Sequence, residues 1–212
     1  MDPALVLPGL TSYPIDMTPD TSGTLRVWYA AYGSNTDAAR FGCYLRGGCP
    51  EGGARTHPGC RDTSAPAGTK ALWLPGSVYF AGASTVWGGG MAFYDPDTPG
   101  PVPARGWLIT VQQLADLITQ EMHAEPGDRA DLEHQVHAIV SRWREGAHPL
   151  GDGRYESLVA TRCLEGTPVV TFTSRRAHLH DERTQPSPRY LATIAAGLTQ
   201  VGHIHPSPQP VL

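Results

Sequence analysis

"VWYAAYGSNTDAARFGCYL", Val27–Leu45, changes character at its midpoint. Val27 to Tyr32 is aromatic, β-branched and small, the composition of a buried strand. From Asp37 onward Phe41, Tyr44 and Leu45 recur at helical spacing. Gly33, Ser34, Asn35 and Thr36 lie between the two. In a strand-to-helix junction of this kind several backbone N–H groups lack helical partners and converge on one point. Such a point suits a carboxylate or an oxyanion. The other reading is a tight turn with Asn35 as helix cap and Asp37 in the first turn, where the helix dipole favours it.

Working outward, strand signals start at Leu25, and residues 1–24 read as an irregular arm. A single domain is expected over 25–202, followed by a Pro-rich tail over 203–212. "RGGCPEGGARTHPGCRDTSAPAG", 46–68, reads as a long loop, the kind that forms a lid or wall in a compact domain. "LWLPGSVYFAG" resumes extended structure with a turn at Pro75-Gly76. In "STVWGGGMAFYDPD" the three glycines after Trp87 argue against a helix and for close backbone packing or a bulge. Met91–Tyr94 is the strand that follows, and "DPDTPGPVPARG", 95–106, reads as a second loop. "ITVQQLADLITQEMH", Ile109–His123, is a helix opened by a Thr110/Gln113 capping box. "ADLEHQVHAIVSRWREG" is a second helix with Leu132, Val136, Ile139, Val140 and Trp143 on one face. "YESLVATRCLEGTPVVTFTS" is a hairpin turning at Glu165-Gly166. "SPRYLATIAAGL" is a last helix, capped by Ser187 with Pro188 at its first position, its inner face Leu191, Ile194, Ala195 and Leu198.

With 212 residues and 40% apolar content the chain can bury a core without disulfides or structural metal. The 24 glycines and 20 prolines predict long irregular connections. A net charge of −4, with Lys70 the one lysine, leaves no basic run to track a phosphate backbone, so no nucleic-acid partner is expected. The opening "MDPALVLPGL" lacks a signal peptide's basic and apolar regions, and no run reaches transmembrane length. No membrane partner is expected, and cytoplasm is the expected compartment. Cys43, Cys49, Cys60 and Cys163 read as free thiols, since their spacing is not that of a zinc knuckle. "HLHDE" at 178–182 and "HIH" at 203–205 lack H-E-x-x-H spacing, and no metal site is expected. No G-x-S-x-G elbow or nucleotide loop is present.

On a helical wheel Glu121 falls within the stripe of Leu114, Leu117 and Ile118, while Asp116, Thr119, Gln120 and His123 lie on other faces. A carboxylate turned into an apolar face is costly unless it is paired or changes protonation. That is the setting of many general bases. The bland alternative is that the helix end frays and Glu121 is solvated. Glu125, Glu133 and Asp95 are the other candidates, with the look of helix-end or surface charges.

Three stretches resemble the γ-glutamylcyclotransferase-like family. These are "YAAYGSNTDAARF", "VWGGGMAFYD" and "LADLITQE", spread over roughly residues 25–125. The resemblance implies an α+β fold, a small mixed β-barrel with peripheral helices. It implies a cofactor-free reaction, with no metal, on a small γ-glutamyl amide or peptide. Glu121 would be the general base. Tyr32, Gly33, Ser34 and Asn35 would bind the substrate, with Tyr29, Trp87 and Gly88 as further pocket residues. The freed α-amine attacks the γ-carbonyl, 5-oxoproline forms and an amine leaves.

Two other functions are compatible with the same residues: an amide or ester hydrolase or acyl or amino transferase on the same scaffold, and a non-catalytic binding protein. The second is favoured if an arginine such as Arg40, Arg105 or Arg129 neutralises Glu121. The excursions 46–68 and 95–106 are expected to wall the pocket, offering Arg46, Arg55, Arg61 and Arg105 to an acidic leaving portion.

Overall fold

The structure is a computed structural model that describes residues 24–50, 55–174 and 182–203. The arm before Thr24, the histidines of 178–181 and the tail after His203 lie outside the described residues. Strand β1, Arg26–Ala31, is central. Val27, Tyr29 and Ala31 point into one apolar cluster, Trp28 and Ala30 into another. This two-sided burial is why β1 reads as a nearly continuous apolar run. After a 3₁₀ turn, Ser34–Thr36, come α1, Ala38–Arg46, β2, Gly68–Pro75, β3, Ser77–Ala81, and β4, Met91–Asp95. The second half runs β5, Pro101–Thr110, α2, Val111–Glu121, α3, Ala130–Arg142, β6, Gly146–Pro149, β7, Ser157–Leu164, β8, Thr167–Thr173, and α4, Pro188–Gln200.

The fold is α+β, with a mixed six-stranded sheet in the order β2-β5-β1-β8-β7-β6 and a separate β3-β4 hairpin. β1 pairs antiparallel with β5 and parallel with β8. The barrel of the expectation takes the form of this ladder with the hairpin laid across it. Tyr94 N donates to Thr173 Oγ1 at 2.9 Å, and Tyr79 OH donates to Ser174 O at 3.0 Å. Side chains thus join the hairpin to the end of β8 where no backbone ladder does. α1, α2 and α3 pack through one apolar cluster, and the hairpin and α4 through the other.

The sequence misplaces several elements. Pro101–Arg105, expected as loop, is the first half of β5, paired with β2. Its prolines, Pro101 and Pro103, stand where β5 has run past the end of β1, whose register stops at Arg105. On that side a missing N–H costs no ladder bond. β6 was not expected at all; its four residues carry no alternation to betray it. On α4, Leu191 is 44% exposed, and Tyr190, Gly197 and Leu198 are the buried positions. Of the glycines after Trp87, Gly89 and Gly90 show the expected close packing, a Cβ on Gly90 lying 2.2 Å from Thr184 O, whereas a Cβ on Gly88 would meet nothing within 4 Å.

The capping box of α2 is present, Gln113 N donating to Thr110 Oγ1 and Thr110 N to Gln113 Oε1, each at 3.0 Å. The helix is not amphipathic in place. Gln113, Asp116, Thr119 and Gln120 are as buried as Leu114, Leu117 and Ile118. The excursion after α1 covers the polar face that the wheel assigned to solvent. Asp116, 1% exposed, accepts from Arg61 Nη2 at 2.8 Å and from the Arg61 backbone N at 2.9 Å, and Arg61 also reaches Glu133 on α3. Arg61→Met strands a buried carboxylate, and stability should fall by about 3 kcal/mol. A urea midpoint equal to wild type would refute this role for the pair.

Candidate active site

A cavity of about 380 Å³ opens where β1, the 3₁₀ turn, the end of α2 and the start of α4 meet. Tyr29, Tyr32, Gly33, Ser34, Asn35, Trp87 and Glu121 all line it. Gly88 does not; it belongs to the turn beside Trp87, its N donating to Ser84 O at 2.9 Å.

The junction departs from its expected geometry in an informative way. Asn35 does not cap α1. Asp37 does, its carboxylate accepting from Arg40 N at 2.9 Å. Relieved of capping, the Asn35 side chain donates from Nδ2 to Glu121 Oε1 at 3.2 Å and to Tyr29 OH at 3.4 Å. Its Oδ1 is buried and accepts nothing among the described residues. The amides of Gly33, Ser34 and Asn35 likewise find no backbone acceptor there, while Thr36 N and Asp37 N close the 3₁₀ turn. Gly33 has φ −103°, which any residue can adopt, so its backbone conformation does not require glycine. Space limits it instead: an added Cβ would stand 3.2 Å from Tyr190 OH.

The turn is clamped from several directions. Trp107 Nε1 donates to Asn35 O at 2.9 Å, Arg105 Nη1 to Thr36 O at 3.0 Å, and Thr36 Oγ1 to Ile194 O at 3.2 Å. Gly197 of α4 lies directly on it; a Cβ there would sit 2.2 Å from the Thr36 carbonyl carbon. Gly197→Ala must push helix and turn apart, costing about 1–3 kcal/mol. The variant should melt about 5 °C lower. A wild-type melting temperature would show that the contact has slack.

Glu121 ends α2 and is half-buried. It stands at the helix end, one turn beyond Leu117 and Ile118, and lines the cavity. It makes no ion pair among the described residues, so none of Arg40, Arg105 and Arg129 neutralises it. Arg105 bonds to Thr36 and Gln200, and Arg129 pairs with Asp131. Of the other candidate bases, Glu133 is paired with Arg61, Asp95 caps its own turn through Asp97 N and Thr98 Oγ1, and neither they nor Glu125 lines the cavity.

Tyrosines and two histidines, His57 and His123, line the cavity with Glu121. Burial pushes the Tyr190 phenol up to about 12 and those of Tyr29, Tyr44 and Tyr155 well above the usual phenol range, the Glu121 charge adding to each. These phenols stay protonated at neutral pH and serve as hydrogen-bonding groups, not as bases. His57 is 5% exposed and lies against Tyr44, ring centroids 3.9 Å apart. Burial and the nearby Arg40 charge lower it to about 4, so it is neutral and holds a proton poorly.

Sequence reasoning named Arg40 only as a possible partner of Glu121 and missed its place in the cavity wall. Its side chain lines the cavity though the residue is 8% exposed. Nε donates to Ser34 Oγ at 2.8 Å and Nη2 to Tyr44 OH at 3.5 Å, while Nη1 has no partner among the described residues. The guanidinium stands 4.9 Å from the Trp87 ring centroid and 5.6 Å from that of Tyr44. No carboxylate of the described residues meets it. The sequence signal was the i, i+4 pair Arg40/Tyr44 on the helix that follows the junction.

No protein-family model matches the chain. It is 34% identical over 215 residues to histone deacetylase 5 of Arabidopsis thaliana, an alignment covering 94% of this chain and 31% of that protein. The chain therefore spans about a third of the length of that curated relative. Solved structures similar to it include an uncharacterized protein from Homo sapiens, at 19% identity and TM-score 0.47 over 84% of this chain and 80% of that one. Another is a gamma-glutamyl cyclotransferase, at 17% identity and TM-score 0.43 over the same shares of the two chains. A third is YkqA from Bacillus subtilis, at 15% identity and TM-score 0.41 over 88% of this chain and 53% of that one. Among the described residues no helix is long and apolar enough to cross a membrane, and no cluster of three or more His, Cys, Asp or Glu is arranged to hold a metal ion.

Proposed function

We propose that the protein is an intramolecular cyclotransferase that releases 5-oxoproline and an amine from a small γ-glutamyl amide. The observation that carries the reading is the pairing of opposite needs in one cavity. Among the described residues Glu121 is a carboxylate without a cation and Arg40 a buried guanidinium without an anion, and both line it. A zwitterionic α-amino acid end satisfies both. Its carboxylate is held by Arg40 and the junction amides, a charge-assisted arrangement favoured by the fork of the guanidinium. Its ammonium faces Glu121 and the open Oδ1 of Asn35.

In this reading Glu121 takes one proton from the α-ammonium group. The amine nitrogen then bonds to the γ-carbonyl carbon, closing a five-membered ring. The bond from that carbon to the leaving nitrogen breaks, the proton held by Glu121 passes to the departing amine, and the freed carboxylate takes the second proton from the ring nitrogen, which leaves with the amine as its ammonium ion. Nucleophile and electrophile belong to one molecule, so positioning supplies much of the rate. No protein nucleophile is called for. The phenols around Glu121 are donors for the oxygen that becomes negative in the tetrahedral stage.

The test is product identity. Purified protein is incubated with γ-glutamyl dipeptides and γ-glutamyl amines, and the products are resolved by mass. Release of 5-oxoproline with the free amine is the expected outcome. Free glutamate, heavier than 5-oxoproline by one water, would mean hydrolysis and would overturn cyclisation.

A further inference from the structure

Arg40 is not the only guanidinium in the cavity wall. Arg55, from the excursion after α1, and Arg154, from the loop between β6 and β7, also line it. Arg55 is half-buried and donates from Nη1 to Gln120 O at 3.4 Å. Arg154 Nη1 lies 3.6 Å from Met91 Sδ. Neither meets a carboxylate of the described residues. Glu121 is the one carboxylate among the described lining residues. Among the described residues, three guanidiniums against one carboxylate leave two positive charges uncompensated in the cavity of a chain whose net charge is −4. Cations that converge on one cleft while the remaining surface is acidic concentrate anions there.

The other loop arginines are engaged elsewhere. Arg61 is held by Asp116 and Glu133, Arg105 by Thr36 and Gln200, and Arg46 does not line the cavity. A glutamyl group with its own ammonium and carboxylate balances Glu121 and Arg40 and leaves Arg55 and Arg154 unmatched. We infer that the leaving amine carries two acidic groups, as in a γ-glutamyl-linked dicarboxylic amino acid, held by Arg55 and Arg154. This rests on the cyclotransferase reading for which end of the ligand lies at Glu121.

The probes are γ-glutamyl-glutamate, γ-glutamyl-glutamine and γ-glutamyl-ethylamide. The first two differ in one charge at almost constant shape. kcat/KM for 5-oxoproline release should be about tenfold higher with glutamate than with glutamine as leaving group, the scale of one charge-assisted hydrogen bond. The ethylamide should be slowest. The Arg55→Gln/Arg154→Gln variant should bring the glutamate-to-glutamine ratio near one, and added salt should shrink it in wild type. Equal rates for the two peptides, or a ratio unchanged in the variant, would overturn the inference and leave cyclisation standing. If no peptide yields 5-oxoproline, cyclisation falls and calorimetric binding of the same peptides decides the ligand class. Tighter binding of γ-glutamyl-glutamate then upholds the acidic ligand, and equal or absent binding overturns it.

Discussion

Glu121→Gln should lower kcat for 5-oxoproline release by about 10²-fold or more, the scale of a lost general base. The amide keeps the size of the side chain and a hydrogen-bonding oxygen for Asn35 Nδ2, which now lies 3.2 Å from Glu121 Oε1. It cannot take a proton from an ammonium group. Its neighbours are poor replacements: the phenols are already protonated, His57, lowered to about 4, retains a proton poorly, and burial with the Arg55 charge lowers His123 as well. Because Glu121 is half-buried at a helix end with no ion pair among the described residues, the variant should fold with a near wild-type melting temperature. KM should change little, since the ammonium still meets Asn35 and an amide oxygen. A folded variant with full activity would remove Glu121 from the mechanism.

Arg40→Met should act on the other kinetic constant. Methionine fills much of the same space between Trp87 and Tyr44, and the hydroxyls it abandons, on Ser34 and Tyr44, remain beside the cavity. What disappears is the positive charge opposite the substrate carboxylate. Truncating one partner of a buried, hydrogen-bonded charge pair costs about 2–5 kcal/mol of binding. KM should therefore rise about 10²-fold, with a smaller change in kcat, the signature of an interaction made equally in ground and transition states. Arg40→Lys should recover part of the loss, because it restores the charge without the planar fork. An unchanged KM in folded Arg40→Met would mean that the guanidinium is only a packing element between two rings. The two variants separate proton transfer from substrate holding, and a non-catalytic binding protein would show the second effect, in affinity, without the first.

The excursion after α1 illustrates how a local sequence reading can be right about position and wrong about content. It does wall the cavity, through Pro50, Arg55 and His57. It also covers the outer face of α2, and Cys60 is buried against Tyr44 O and Gln113 O. A wheel drawn on α2 alone assigns Asp116 and Gln120 to solvent because no helical periodicity records what a distant loop will cover. The same limit applies to α4, where Tyr190 rather than Leu191 turns inward.

Sequence alone determined the central strand, the small-residue junction behind it, the capping box of α2, the hairpin turn at Glu165-Gly166 and the start of α4. These are local matters, set by β-branched and aromatic content, by φ-permissive residues and by side chains that bond to backbone a few residues away. It also placed Glu121 and the junction as separate candidates. Tertiary structure decided that they share one cavity, that Asp37 caps α1 and so leaves Asn35 to bond Glu121 across 86 positions of sequence, and that Arg40 lies among rings with no anion among the described residues. The physical reason is that a hydrogen bond or an uncompensated charge belongs to a pair of groups. Local chemistry specifies each group, and only the packing of β1, α2 and α4 around one point specifies which groups meet.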